Sequence, residues 1–262
     1  MPSYNVRLYD YPTNQQVRIY QRPVRSESET VKDFKARKRK EEDSSMREKI
    51  PEQRSEAAAA HSRQVSQNRT KQSVYEITRA NTWEWFITLT FDREKIDSSD
   101  YSLVSRTVRR WFNNMQQRKA PDLIYMIIPE LHKDGIHYHF HGLLACTGDL
   151  AFVESGVVQD GKMVYNLPDF RLGFTTATKV EDTHRAAAYV TKYITKELET
   201  AIRGKRRFLA SRSCRRAKIY EYNMTPEEKN DILFQISDDI THMNTQLVGA
   251  AHQQISYIEL KK

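Results

Sequence analysis

Lys133-Asp134-Gly135-Ile136-His137-Tyr138-His139-Phe140-His141-Gly142-Leu143-Leu144 places a histidine at every second residue directly after an Asp-Gly pair. Asp-Gly flanked by alternating residues is a strong local signal for a β-hairpin, because a type I′ turn needs positive φ at both central positions. Side chains on a strand alternate between its faces. His137, His139 and His141 therefore share one face, and Tyr138 and Phe140 the other. Closely spaced imidazoles on a rigid strand suit the coordination of a divalent metal.

The hairpin also supplies a carboxylate. With Asp134 and Gly135 as the two loop residues, Lys133 faces Ile136, His132 faces His137 and Glu130 faces His139. Glu130 is then diagonal to His141, and its side chain reaches both imidazoles. The plain alternative is an ordinary hairpin with solvated or core histidines. Three alternating histidines with an opposed glutamate favour a metal site of Glu130, His139 and His141, with His137 as a neighbouring or substitute ligand.

The chain has 262 residues, enough for one main domain with appendages. Lys+Arg total 42 against 34 Asp+Glu, a formal charge of +8, which suits a polyanionic partner as well as a merely solvated basic surface. Cys146 and Cys214 form no Cys-x-x-Cys pattern, which argues against a disulfide framework or a thiolate zinc site. No apolar run approaches the roughly 18 residues of a membrane span, and the N-terminal residues do not read as an apolar signal segment. The expectation is a soluble, cytoplasmic protein without a membrane partner.

Around Pro12-Thr13-Asn14, residues 1–25 alternate as a small hairpin. Residues 26–75 form a charged linker and helical region, with Lys35-Ala36-Arg37-Lys38-Arg39-Lys40 too polar to build a core. A central strand is expected over Trp83–Phe91, with Trp83, Trp85, Ile87, Leu89 and Phe91 on one face. Asp100 is placed to cap a helix whose apolar stripe includes Val104, Val108, Trp111 and Phe112, stopped by Ala120-Pro121. A weaker strand pair surrounds Asp160-Gly161, and Gly173–Val180 reads as another strand. Thr225-Pro226-Glu227-Glu228 is a capping box with proline at N1. Ile232, Ile236, Ile240, Met243 and Leu247 then follow helical spacing, so residues 223–262 read as a C-terminal helix for packing or homo-oligomer formation.

A second constellation lies in Tyr189-Val190-Thr191-Lys192-Tyr193-Ile194-Thr195-Lys196. Here one helix is expected from Asp182 or Thr183 to Gly204. Its packing stripe is Ala187, Val190, Ile194, Leu198 and Ala201. Tyr189 and Tyr193 fall together off that stripe, one turn apart, with Lys192 and Lys196 beside them. Core tyrosines belong on the stripe, so the repeated Tyr-x-x-Lys points to chemistry. Downstream, Arg203, Lys205, Arg206, Arg207, Arg212, Arg215, Arg216 and Lys218 occur with no acidic residue among them, and Phe208 and Tyr220 are interleaved. Such a segment suits phosphate contact and base stacking, with a solvated loop as the alternative.

In combination these motifs resemble the HUH endonucleases, and among them the two-tyrosine rolling-circle replication initiators of plasmids and phages. Phe86–Phe91 is similar to the family's first motif. His139-Phe140-His141-Gly142-Leu143-Leu144 resembles its His-hydrophobe-His motif, and Tyr189–Lys196 its tyrosine motif. The likeness extends over about residues 66–222, so residues 76–222 read as the endonuclease domain; His137 adds a third alternating histidine to the simplest pattern. The resemblance implies an α+β fold: a central antiparallel sheet with packed helices, a ferredoxin- or RRM-like palm, plus helical N- and C-terminal appendages. It implies Mg²⁺ or Mn²⁺ at Glu130, His139 and His141, and nicking of origin DNA, single-stranded or extruded from a hairpin or supercoil. Tyr189 and Tyr193 would be nucleophiles assisted by Lys192 and Lys196, leaving a 5′-phosphotyrosine and a free 3′-OH. No Gly-x-x-x-x-Gly-Lys-Ser/Thr loop is present, so a host helicase and polymerase in a bacterial cell are implied partners.

Three other readings compete. A transposase or relaxase would use the same chemistry. A His-x-His hydrolase would need either a βα-repeat barrel, whose pattern is missing, or an aspartate soon after the second histidine, where Gly142 stands. A non-catalytic single-stranded nucleic-acid-binding protein would bind tightly without forming a covalent adduct.

Overall fold

The computed structural model describes residues 3–26, 56–146, 148–195, 198, 201–202, 204–248 and 253–262. It is α+β, with two antiparallel sheets and four α-helices among the described residues. The chain divides into two compact units, residues 1–54 with 217–262, and residues 55–216. The charged run from Lys35 to Lys40 lies outside the described residues.

The second unit is built on a seven-stranded sheet. Its strands are β3 (Trp85–Phe91), β4 (Ile124–Leu131), β5 (Tyr138–Ala145), β6 (Val153–Gln159), β7 (Lys162–Asn166), β8 (Gly173–Lys179) and β9 (Leu209–Ala210), in the order β6-β7-β8-β3-β5-β4-β9. On β3, Trp85, Ile87, Leu89 and Phe91 are buried, as the alternation requires. Phe86, Thr88 and Thr90 take the opposite face. Helix α1 spans Glu56–Arg79 and α2 spans Tyr101–Arg118.

The side chain of Asp100 caps α2 by accepting from the N–H groups of Ser102 and Leu103. The helix lays Val104, Val108 and Phe112 on the core. Phe112 stacks on Tyr125 of β4 at 3.9 Å between ring centroids. Tyr125 lies on the face opposite Glu130, so α2 covers the side of the sheet away from the histidines. On the other side, α1 packs on helix α3 (Thr183–Val190) and reaches β4.

The two Asp-Gly hairpins close differently. Asp160 and Gly161 both have positive φ, 50° and 76°, as a type I′ turn needs. In the histidine hairpin Gly135 has φ 70°, and Asp134 is not among the positive-φ residues. Gly135 N–H instead donates to His132 O at 2.8 Å, and the Asp134 side chain accepts from the N–H groups of Ile136 and His137. The expected type I′ turn is therefore corrected to a longer turn around an Asp side-chain cap. The register it sets pairs Glu130 with His139 and Ile128 with His141. Gly142 lets β5 approach β4, because a Cβ there would lie 2.1 Å from Met126 O.

The first unit is a five-stranded sheet, β10 (Lys218–Tyr222), β1 (Ser3–Asp10), β2 (Asn14–Arg25), β12 (Gln253–Lys261) and β11 (Ile240–Val248), in that order. Val6, Val17, Ile258 and Leu260 form a core with Leu233 and Ile236. Leu233 belongs to α4 (Pro226–Gln235), which opens with the full Thr225–Glu228 capping box. The single C-terminal helix expected over 223–262 is thus corrected to one short helix followed by two strands. The helical spacing of Ile240, Met243 and Leu247 is overridden by pairing of β11 with β12, and of β12 with β2.

Candidate metal and tyrosine site

β4 and β5 bring Glu130, His139 and His141 together. His139 Nε2 and His141 Nε2 each lie 2.8 Å from Glu130 Oε2, and 3.1 Å from each other. Among the described residues these three form the group able to hold a metal ion. The side chains of His141 and His139 are 11% and 16% exposed, and that of Glu130 is 33% exposed, so the cluster opens on one side. Hydrogen bonds from His141 and His139 draw the Glu130 carboxyl below the usual range, against the effect of burial. Burial holds His139 below the usual histidine range. Two imidazole nitrogens cannot both carry a proton on the same 3.1 Å line. With those Nε2 protons released, two imidazoles beside a carboxylate make a donor set that fits a divalent cation.

His141 is oriented from behind. Thr88, its register partner on β3, places Oγ1 2.9 Å from His141 Nδ1. The contact holds the ring, and with a cation on Nε2 the Nδ1–H would donate to the threonine oxygen and set the tautomer. Sequence reasoning did not single out Thr88. Its signal was a hydroxyl on the face of Phe86–Phe91 opposite the buried aromatics. His137 turns elsewhere, with Nδ1 2.7 Å from Asp134 Oδ2. Asp134 also receives Arg93 at 2.8 Å.

The tyrosine pair lies against this cluster. The expected helix from 183 to 204 is interrupted after Val190: Thr191–Tyr193 continue as a 3₁₀ turn, and helical geometry returns at Leu198 and Ala201. Ile194 leaves helical geometry with ψ 80°, and buried Gln67 of α1 donates to its carbonyl at 2.9 Å. Val190-Thr191 and Ile194-Thr195 are β-branched pairs, which weakens the helix there. Tyr189 and Tyr193 nevertheless remain neighbours. Tyr193 Oη donates to Tyr189 Oη at 3.1 Å, and the Tyr193 ring stacks on His141 at 4.1 Å and 15°. Phe86 packs beside both tyrosines. Burial, then the hydrogen bond to Tyr189, then repulsion from Tyr189 and Glu130 raise the Tyr193 phenol well above its usual pKa. Lys192 Nζ sits 5.1 Å from the Tyr189 ring centroid. Lys196 lies outside the described residues.

The basic segment divides. Lys205, Arg206, Arg212, Arg215 and Arg216 are exposed. Arg207 is half-buried and donates to Ser66 O, Ser66 Oγ and Thr70 Oγ1 at 2.7–3.1 Å, which ties the segment to α1. Lys218 begins β10 in the other unit, and Arg203 lies outside the described residues.

Residues 84–198 match the family model described as replication-associated protein ORF2/G2P. The matched span starts at β3 and includes the cluster and both tyrosines. The likeness is to a replication-associated family and leaves the rest of the chain unmatched. No curated protein and no solved structure matches the chain. No helix among the described residues is long and apolar enough to cross a membrane.

Proposed function

We propose that the protein is a rolling-circle replication initiator of the HUH type, which nicks and rejoins one strand of origin DNA. The observation that carries the proposal is the meeting of three ligand atoms within 3.1 Å, with His141 stacked beneath a hydroxyl-paired tyrosine. A sheet-borne His₂Glu set beside two phenols is hard to reconcile with a packing role.

Glu130, His139 and His141 would hold Mg²⁺ or Mn²⁺, which would supply Lewis-acid activation of the scissile phosphate. Thr88 keeps His141 aimed. The phenolic oxygen of one tyrosine attacks phosphorus, forming an O–P bond while the P–O3′ bond breaks. The phenol loses its proton and the departing 3′ oxygen gains one, leaving a 5′-phosphotyrosine and a free 3′-OH. One ester replaces another, so no ATP is consumed. Lys192, beside Tyr189, stabilises developing negative charge. After the first transfer the second tyrosine cleaves the regenerated origin, and the released 3′-OH resolves the first linkage. A helicase and polymerase of a bacterial host complete the cycle from the cytoplasm.

The test is incubation with a single-stranded oligonucleotide library and Mn²⁺, followed by denaturing electrophoresis. An SDS-resistant adduct is expected, absent with EDTA and absent in Tyr189→Phe/Tyr193→Phe. Tight binding with no adduct under any metal would return the chain to a non-catalytic nucleic-acid-binding protein.

A further inference from the structure

Beside the edge of the seven-stranded sheet, the basic segment and α1 enclose a pocket of about 520 Å³. Thr70 and Ile77 of α1 form one wall, and Arg206, Phe208, Arg212 and Arg216 contribute to the other. No acidic side chain is among the described residues lining it. Arg206, Arg212 and Arg216 are exposed, while Ile77 is buried in the core and Phe208 packs against it. The pocket is cationic at its rim, with Phe208 and Ala210 beside Thr70 and Ser211 in its wall.

The frame that holds these arginines is fixed. Arg207 is anchored to Ser66 and Thr70. Asn81 accepts from Arg215 N–H and donates to Arg215 O, and Tyr101 Oη donates to Arg206 O. Ser211 N–H donates to Tyr125 O at 2.9 Å. A merely solvated basic loop needs none of these braces.

We propose that this pocket takes one nucleotide of the DNA strand, its phosphate between the rim arginines and its base against the apolar wall. Guanidinium groups suit a phosphate through paired donors, and the volume lies in the range of small-ligand sites. Its position fits a strand running to the metal cluster. β9 pairs Leu209 with Ile127 on β4, and Glu130 lies three residues further along, roughly 10 Å at strand rise. Helix α1 links the two, since it packs on the tyrosine helix and also lines the pocket. The proposal rests on the nicking reading only in taking DNA as the ligand.

The experiment is calorimetric titration of the full chain carrying Tyr189→Phe/Tyr193→Phe, in EDTA. Separate arms use deoxyadenosine 5′-monophosphate, deoxyadenosine and inorganic phosphate. The monophosphate should bind on the order of tenfold more tightly than either fragment, and Arg212→Ala/Arg216→Ala should weaken it by on the order of tenfold. Arg106→Ala/Arg110→Ala, which removes equal charge from exposed positions of α2, should leave it unchanged. Phosphate binding as tightly as the monophosphate, equal losses in both variants, or no nucleotide binding would each overturn the pocket. Melting temperatures of both variants check that the fold survives. Adduct formation by the wild-type tyrosines is scored separately, so its failure alongside nucleotide binding would remove the nicking reading and keep the pocket.

Discussion

Thr88 contributes one oxygen to the site, at 2.9 Å from His141 Nδ1. Partners that orient a ligating histidine are typically worth about 10–100-fold in metal affinity or activity. Thr88→Val keeps the shape of the strand and should lower Mn²⁺ affinity by that order in a calorimetric titration; an unchanged affinity would make the contact incidental. For the tyrosines, Tyr189→Phe and Tyr193→Phe should each retain some single-strand cleavage, and the double variant none. One inactive single variant beside one fully competent through repeated rounds would show a single nucleophile. Cys146 gives a pH test: burial, with Glu84 and Asp122 nearby, pushes its thiol up from 9.0 to about 11. The native chain keeps a proton that the unfolded chain loses first, so this thiol's contribution to stability is complete below 9.0 and is lost as pH rises towards 11. Alkylation of native Cys146 by iodoacetamide, followed by mass spectrometry, should stay slow through the ordinary thiol range. At this scale period-two spacing showed Glu130, His139 and His141 on one face. It could not show Thr88 behind His141 or Arg207 turned into α1, because both depend on partners far along the chain.

Elements were legible where their signals are local. The Asp100 cap and the Thr225 capping box lie within one turn of what they stabilise, and the alternation on β3 is complete within seven residues. The break in the helix after Thr183 has no local signal of its own, because Gln67, which donates to the Ile194 carbonyl, comes from 127 positions away. The 3- and 4-residue spacing of Ile240, Met243 and Leu247 favours a helix, and only pairing with β12 makes the segment a strand. Between β4 and β5 the decisive element feature is Gly142. Alanine there would drive a methyl group into the backbone of Met126 and Ile127. Gly142→Ala should therefore destabilise the chain by about 3 kcal/mol, the upper end for overpacking, and lower metal affinity by parting Glu130 from His139. Denaturant unfolding with a parallel Mn²⁺ titration checks both, and native-like values would mean that the strands tolerate the separation.

On the scale of the whole molecule, the +8 charge gains meaning from where the arginines sit. Neutralising Arg206, Arg212 and Arg216 together should flatten the salt dependence of DNA binding, since each phosphate contact releases counterions. An unchanged slope, measured by anisotropy over a salt series, would leave these residues as solvated charge. The division of the chain into two units has a consequence during synthesis. In the five-stranded sheet β2 pairs with β12, Tyr20 opposite Ile255, so the ribosome must deliver the entire intervening unit before that ladder can close. At roughly 5–20 residues per second, the first hairpin waits on the order of ten seconds or more with an unpaired edge exposed to other nascent chains. The segment carrying Glu130, His139, His141 and the tyrosines waits less than half as long, because Trp85 of β3 meets Lys179 of β8 and Ile127 of β4 meets Leu209 of β9. Vectorial translation thus lets the sheet that carries the site close before the five-stranded one.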